Sequence, residues 1–205
     1  MEIDIVIENL KDMLESRGDN IDEFIEHSVD IRREDFYNDK DIIEFHTSNT
    51  TIIFALSKKL RTYIMDEFKN NENNIDAIIK KYNNKKNIII VFNNDTALST
   101  ALISSLNKYD KIFQKNKEGM IQYFYLNQLL YNPTKHKLVP PHRKLSTIEA
   151  DEIMEKYLIK SKLQMPYIMH NDVIAKWIGL KQGDLVEIKR YNENSGLSYY
   201  YRCCI

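Results

Sequence analysis

Two glycines near the carboxyl end, Gly179 and Gly183, do most to limit what this chain can fold into. They sit in the run Trp177-Ile178-Gly179-Leu180-Lys181-Gln182-Gly183-Asp184. Ahead of them, Asn171-Asp172 is a helix-start signal, and Ile174, Trp177 and Ile178 form a short apolar face. Gly179 then falls where a left-handed residue closes a helix. Gly183 supplies a tight turn into Leu185–Tyr191, which has strand composition. Asn192-Glu193-Asn194-Ser195-Gly196 separates that run from Leu197–Ile205, a hairpin signal. Both Gly179 and Gly183 are expected at positive φ, where a Cβ is costly.

The stretch before this hairpin carries another local instruction. Ser146-Thr147-Ile148-Glu149 fits a capping box, in which hydroxyl and carboxylate satisfy each other's backbone N–H. The helix that follows shows Ile148, Ile153, Tyr157 and Leu158 as its apolar face. Lys160-Ser161-Lys162 ends it in polar residues, and Pro166 precedes the next helix start.

The chain has 205 residues, room for one large or two small domains. With 43% hydrophobic and 29% charged residues it has an ordinary globular composition. Few glycines and prolines argue against long disordered linkers. The longest apolar run, Ile88–Phe92, is far short of the ~20 residues a bilayer span needs, so no membrane role is expected. Met1-Glu2-Ile3-Asp4 is acidic and unlike a signal peptide. Cys203 and Cys204 are adjacent, so in a strand they point to opposite faces, away from a mutual disulfide. Together with the lack of any Cys/His zinc spacing, this suggests a reducing compartment. Lysine outnumbers arginine, and Asn and Ile are frequent, which points to an AT-rich genome. Charge is split: residues 134–205 hold 12 basic and 8 acidic groups, and residues 1–133 hold 17 and 22. That asymmetry favours two domains, 1–133 and 134–205, meeting at Asn132-Pro133-Thr134.

Along the front domain, residues 3–16 read as a helix on Ile3, Ile7, Leu10 and Leu14. Asp41–His46 and Thr50–Leu56 read as strands around Thr47-Ser48-Asn49. Tyr63–Lys81 reads as one helix, or as two joined at Asn70–Asn74. Asn87–Phe92 has the continuous β-branched character of a strand buried on both faces. Asn93-Asn94-Asp95-Thr96 ends it and is expected to cap a helix over about 97–106, and Ile121–Leu130 reads as a strand. The front domain is thus expected to mix helices with a sheet.

The usual catalytic signatures are missing. The chain has no phosphate-binding glycine loop, no nucleophile elbow and no zinc-protease motif. His136 and His142 flank Leu138-Val139-Pro140, where a structural hydrogen bond or solvent exposure explains them better than a metal. Glu187-Ile188-Lys189 matches a fragment of nuclease strands but lacks the acidic partner, and reads as the polar side of a hairpin. Tyr199-Tyr200-Tyr201 can stack bases, though β-packing explains it more simply. Lysine clusters such as Lys108 to Lys117 can touch phosphate, or be plain solvated surface.

The last third resembles the assembly domain of the fifth subunit shared by eukaryotic RNA polymerases, which has a shorter archaeal counterpart. Leu138-Val139-Pro140-x-His142 with Leu145-Ser146 looks like that family's opening strand and helix cap. Gly179-x-Lys181-x-Gly183-x-x-Val186-x-Ile188-x-Arg190 looks like its most specific motif, and Ser195-Gly196 with Tyr201-Arg202 like its closing hairpin. In the front domain the likeness is thinner: Ser16-Arg17-Gly18, Glu34-Asp35-Phe36, and Ile88–Phe92 before Asn93-Asn94. Departures are Tyr167 after Pro166, Val173 after Asp172, Gln182 beside Lys181, Leu197 after Gly196, and one inserted residue between Tyr157 and Pro166. Divergence of this kind with AT-rich coding suggests a version from a large DNA virus.

The resemblance implies an α/β and α+β architecture. A nuclease-like front jaw domain with a mixed sheet precedes a small two-layer α/β assembly domain ending in a β-hairpin. It implies a non-catalytic subunit of a DNA-directed RNA polymerase, with no catalytic residue, cofactor, metal or small-molecule substrate. The assembly domain would dock on the largest subunit among the other polymerase subunits, and the front domain would form the lower jaw beside downstream duplex DNA. Weak, non-specific DNA contact is expected at Asn93, Asn94 and Thr96, with Lys108 and Lys111 nearby. Location would be host cytoplasm and virion if viral, nucleus if cellular. A stand-alone nucleic-acid-binding module and a degenerate nuclease are the alternatives.

Overall fold

The computed structural model describes residues 2–30, 34–37, 42–70, 85–94, 97–117, 119–194 and 196–205. The chain divides into two compact units, Met1–Tyr131 and Asn132–Ile205, with the break slightly ahead of the expected 133/134 boundary.

The first unit is built on a mixed four-stranded sheet in the order β1-β2-β3-β4. Its strands are β1 (Ile43–His46), β2 (Thr50–Ala55), β3 (Asn87–Phe92) and β4 (Met120–Tyr125). β1 is antiparallel to β2, while β2, β3 and β4 run parallel. Parallel strands need crossovers, and helices α3 (Lys58–Asn70) and α4 (Thr100–Lys117) lie in them. Leu60, Ile64 and Phe68 of α3 and Leu102, Leu106, Tyr109 and Phe113 of α4 pack on Ile53, Ile88, Ile90 and Phe92. The alternate strand residues Ile52, Phe54, Ile89 and Val91 are buried on the opposite face. That side is covered by α1 (Glu2–Ser16) and α2 (Asp22–Asp30). Phe24 of α2 lies 5.0 Å from Phe45, and Phe45 lies 5.7 Å from Phe54. Arg17, just past α1, donates to Gln122 of β4 at 2.8 Å. As its composition predicts, β3 is central and buried on both faces.

Several boundaries differ from the sequence reading, each for a local reason. The fourth helix starts at Thr100 instead of 97 and runs on to Lys117. Leu98 N–H donates to the Tyr125 hydroxyl at 3.0 Å, which holds that segment out of the helix, and Ser99 Oγ accepts from Leu102 N at 3.2 Å. The strand expected over 121–130 stops at Tyr125, where Gln128 Oε1 takes the Tyr125 N–H and a 3-10 turn, Leu126–Leu129, follows. The third helix begins early, at Lys58, because Ser57 Oγ accepts from Leu60 N. The second half of the predicted 63–81 helix, the Asn71–Asn74 loop residues and Asp41 fall outside the described residues. The second helix is not legible in the sequence: Asn20 starts it by accepting from Asp22 N at 2.9 Å.

The second unit is a four-stranded sheet in the order β5-β7-β8-β6. Its strands are β5 (His142–Lys144), β6 (Tyr167–Ile168), β7 (Leu185–Asn192) and β8 (Gly196–Cys204). β7 and β8 form the predicted antiparallel hairpin. β6 is too short to read in the sequence and pairs parallel with the end of β8. Helix α5 (Thr147–Lys156) starts in the capping box: Glu149 Oε2 accepts from Ser146 N at 2.8 Å and Ser146 Oγ from Glu149 N at 3.3 Å. Helix α6 (Val173–Trp177) is capped by Asp172, whose Oδ1 takes the Ile174 and Ala175 N–H groups.

The packing corrects the expected two-layer arrangement. Ala150 of α5 packs with Leu145, Met165, Leu185 and Cys203, while Ala175 of α6 packs with Ile168, Leu180, Val186 and Cys204. Leu185 and Val186 are consecutive in β7, so they point to opposite faces. Each face of the hairpin's base therefore needs cover, and the sheet is sandwiched between the helices. Of the predicted apolar face of α5 only Ile153 meets the core: Ile148 is 73% exposed, Leu158 is 87% exposed and Tyr157 is also exposed. The helix buries Ala150 and half-buries Ile153 and Met154, a stripe turned away from Ile148. Leu158 sits beyond the helix at φ 54°.

Candidate functional site

The residues of the C-terminal motif separate into those that shape the second unit and those that face outward. Gly179 and Gly183 have φ of 68° and 88°, the left-handed values expected of them. Gly183 N–H donates to Cys204 O at 2.8 Å, and its carbonyl accepts from Lys162 Nζ at 2.7 Å. Lys181 N–H donates to Asp184 Oδ2, which also pairs with Lys144 Nζ at 2.5 Å. Val186 and Ile188 are buried, as is Trp177, and Gly196 turns the hairpin at φ 71°. These positions make the fold.

A second cluster ties α5 to the sheet. Arg143 bridges Glu149 at 2.6 Å and Glu187 at 3.2 Å, and the Tyr201 hydroxyl donates to Glu187 Oε2 at 3.2 Å. Hydrogen bonds from Ser146 and Arg143 hold the Glu149 carboxyl down at about 2. Burial and the Glu187 charge push Tyr201 up to about 12. Glu187 is thus a structural acceptor, which supports reading Glu187-Ile188-Lys189 as hairpin. The sequence does not show Glu149 and Glu187 as a pair, because only the β5–β7 register brings Arg143 opposite Glu187.

The remaining motif residues lie on the surface. Leu138 is 83% exposed, and Val139 and Pro140 are half-buried. His142 is half-buried, its Nδ1 2.6 Å from Pro140 O, and burial lowers its pKa. His136 Nδ1 accepts from Leu138 N, so both histidines have the structural bonds that the sequence favoured. The register His142↔Ile188↔Tyr200 makes a row across three strands. Arg190 and Arg202 flank that row on the same face, with the Arg190 guanidinium 4.6 Å above the Tyr200 ring. Among the described residues no group of three His, Cys, Asp or Glu side chains can hold a metal ion.

In the first unit, Asn93 and Asn94, the described part of the loop expected at DNA, make local hydrogen bonds. Asn93 Oδ1 accepts from Asn94 N, and Asn94 Oδ1 accepts from Asn127 N at 3.0 Å. The helix expected from about Ala97 starts at Thr100, and Asp95 and Thr96 lie outside the described residues. Lys108 and Lys111 are exposed on α4.

Residues 131–204 match the model of the family RNA polymerase Rpb5, C-terminal domain. They are nearly coextensive with the second unit. The chain is 44% identical over 75 residues to DNA-directed RNA polymerase subunit Rpo5 of Pyrococcus horikoshii, covering 37% of this chain and 90% of that protein. The chain belongs to the RNA polymerase Rpb5 family. The Rpb5 likeness reaches beyond the second unit. The subunit rpabc1 of DNA-directed RNA polymerases I, II and III from Dictyostelium discoideum is 32% identical over 128 residues, 62% of this chain and 61% of that protein. Caenorhabditis briggsae RPABC1 is 34% identical over 86 residues, 42% and 40% of the respective chains. A 128-residue match cannot fit within Asn132–Ile205, so it runs into the first unit.

Proposed function

We propose that this chain is a non-catalytic subunit of a DNA-directed RNA polymerase. Residues 134–205 act as its assembly domain on the largest subunit, and residues 1–133 as a jaw beside downstream duplex DNA. The observation that carries the reading is the 44% identity spanning 90% of an archaeal Rpo5. The sandwiched hairpin with its own two cores supports an assembly domain that folds by itself. The jaw assignment rests on the resemblance and on the extension of the rpabc1 likeness into the first unit.

DNA contact, in this reading, is electrostatic and without base specificity, carried by Lys108 and Lys111 more than by Asn93, Asn94 and Thr96. AT-rich coding and the motif departures favour a viral version working in host cytoplasm and virion; a cellular one would be nuclear. Affinity purification of the tagged full chain followed by mass spectrometry tests the reading. Copurification of the large polymerase subunits is expected. A free chain that binds DNA tightly would favour a stand-alone module, and metal-dependent cleavage would favour a degenerate nuclease; either result sinks the polymerase reading.

A further inference from the structure

We infer that the helical layer on the α5 side of the second unit is one helix short, and that an acidic amphipathic helix of a protein partner completes it. This is the side of the sheet away from Arg190 and Arg202, and the inference does not rest on the polymerase reading. Alternation puts Leu185, Glu187, Lys189 and Tyr191 of β7 on the α5 side, opposite Cys203, Tyr201, Tyr199 and Leu197 of β8. Helix α5 packs over Leu185 and Cys203 and reaches Tyr201, whose ring lies 5.9 Å from that of Tyr157. Past Tyr201 the same side carries Tyr199, Leu197 and Tyr191, all exposed, with Lys189 among them. A sheet face left in water is ordinarily polar. The reverse side of this outer stretch follows that rule with Arg190, Asn192 and Ser198, and the α5 side breaks it.

Size and charge decide the occupant. From Tyr201 to Leu197 the strand runs about 14 Å, and a helix with its side chains is about 10–12 Å across. One helix therefore fits beside α5, in the way sheet faces are ordinarily covered. The flank of α5 that borders this space is marked by Glu149, which reaches Arg143 in the row Arg143, Glu187, Tyr201. Lys156 lies two turns on from Glu149 and shares its flank. Its Nζ stands 5.6 Å from the Tyr157 ring centroid. Helical spacing places Asp151 and Glu155 on the other flank and Glu152 on the outer surface of α5. Arg143 pairs with both acids of the row's neighbourhood, Glu149 and Glu187. Lys156 and Lys189 are in no ion pair among the described residues. An apolar floor with a cation in the wall and another in the floor suits a helix bearing an apolar stripe flanked by carboxylates. A single-stranded nucleic acid is a poorer fit: the rings could stack its bases, but Leu197 gives it no stacking partner and two lysines neutralise few phosphates.

The test uses the full chain as wild type, Y191S/L197S/Y199S and K156E/K189E, with three fluorescein-labelled probes. These are a synthetic helical peptide with Leu at i, i+3, i+4 and i+7 and Glu elsewhere, the same peptide with Lys for Glu, and a single-stranded oligouridine. Fluorescence anisotropy is expected to show wild type binding the Glu peptide about tenfold or more tighter than the Lys peptide. Y191S/L197S/Y199S is expected to keep its circular dichroism and melting temperature, since the three side chains are exposed, and to lose about tenfold or more in affinity for the Glu peptide. Should that variant unfold, K156E/K189E decides: its preference is expected to turn to the Lys peptide. Equal binding of the Glu peptide by a folded Y191S/L197S/Y199S overturns the proposal, as does a wild type that binds no Glu peptide or a K156E/K189E that still prefers it. So does oligouridine that displaces the Glu peptide and is itself lost in Y191S/L197S/Y199S, which would make this a nucleic-acid surface. None of these results bears on copurification with polymerase subunits, so the polymerase reading stands or falls separately.

Discussion

Cys203 and Cys204 are neighbours in β8 yet belong to different cores. Cys203 packs with Leu145, Ala150, Met165 and Leu185; Cys204 packs with Ile168, Ala175, Leu180 and Val186. Strand alternation sends the two thiols through opposite faces of the sheet. One dipeptide therefore joins the α5 side of the second unit to the α6 side.

Both thiols should be inert in the folded protein. Burial raises the Cys203 pKa and pushes Cys204 up to about 12, so little thiolate exists at neutral pH. A thiol-reactive chromophore at pH 8 should label neither until denaturant is added. Rapid labelling of both in the native state would show that the base of the hairpin opens.

Gly119→Ala and Gly183→Ala should separate two reasons for glycine. A Cβ at Gly119 would lie 1.7 Å from the Lys86 carbonyl oxygen, a backbone atom that cannot rotate away. A Cβ at Gly183 would meet nothing within 4 Å, and only the φ of 88° opposes it. Urea unfolding should show a cost of about 1 kcal/mol for Gly183→Ala and about 1–3 kcal/mol or more for Gly119→Ala. Equal costs would mean that the β3–β4 edge relaxes freely.

Trp177→Ala should cost about 3–5 kcal/mol, because the ring is 1% exposed in a helix of one and a half turns. Ile148→Ala, on the exposed side of α5, should change stability by less than about 0.5 kcal/mol. Thermal melts of both variants check the pair. A large loss at Ile148 would contradict its exposure.

The cap of α5 should weaken in acid. The Glu149 carboxyl is held at about 2 against an ordinary 4.5 by hydrogen bonds from Ser146 and Arg143. A depressed carboxylate contributes stability above its unfolded value and loses it as pH falls through its folded value. The contribution should thus fade between pH 4.5 and 2 and be absent in Glu149→Gln. The carboxylate is exposed, so salt should shrink the difference. Melts of both proteins across that range test this; parallel pH curves would remove Glu149 from the cap's energetics.

Local chemistry was enough for the punctuation of this chain. Ser146 and Glu149, Asp172, Gly179 and Gly183 act on backbone groups a few residues away, so their roles could be read from spacing alone. The run Ile88–Phe92 announced a central strand because a strand buried on both faces has no polar alternation to keep. Much else depended on partners distant in sequence. Thr100 begins α4 because Tyr125, at the end of β4, takes the Leu98 N–H. Ile148 and Leu158 stay outside because the sheet meets Ala150, Ile153 and Met154, and helical spacing does not say which stripe meets the core. The row of His142, Arg190, Tyr200 and Arg202 exists only through strand register. Register is set by pairing across the sheet, and a slip of one residue would turn every one of these side chains to the other face.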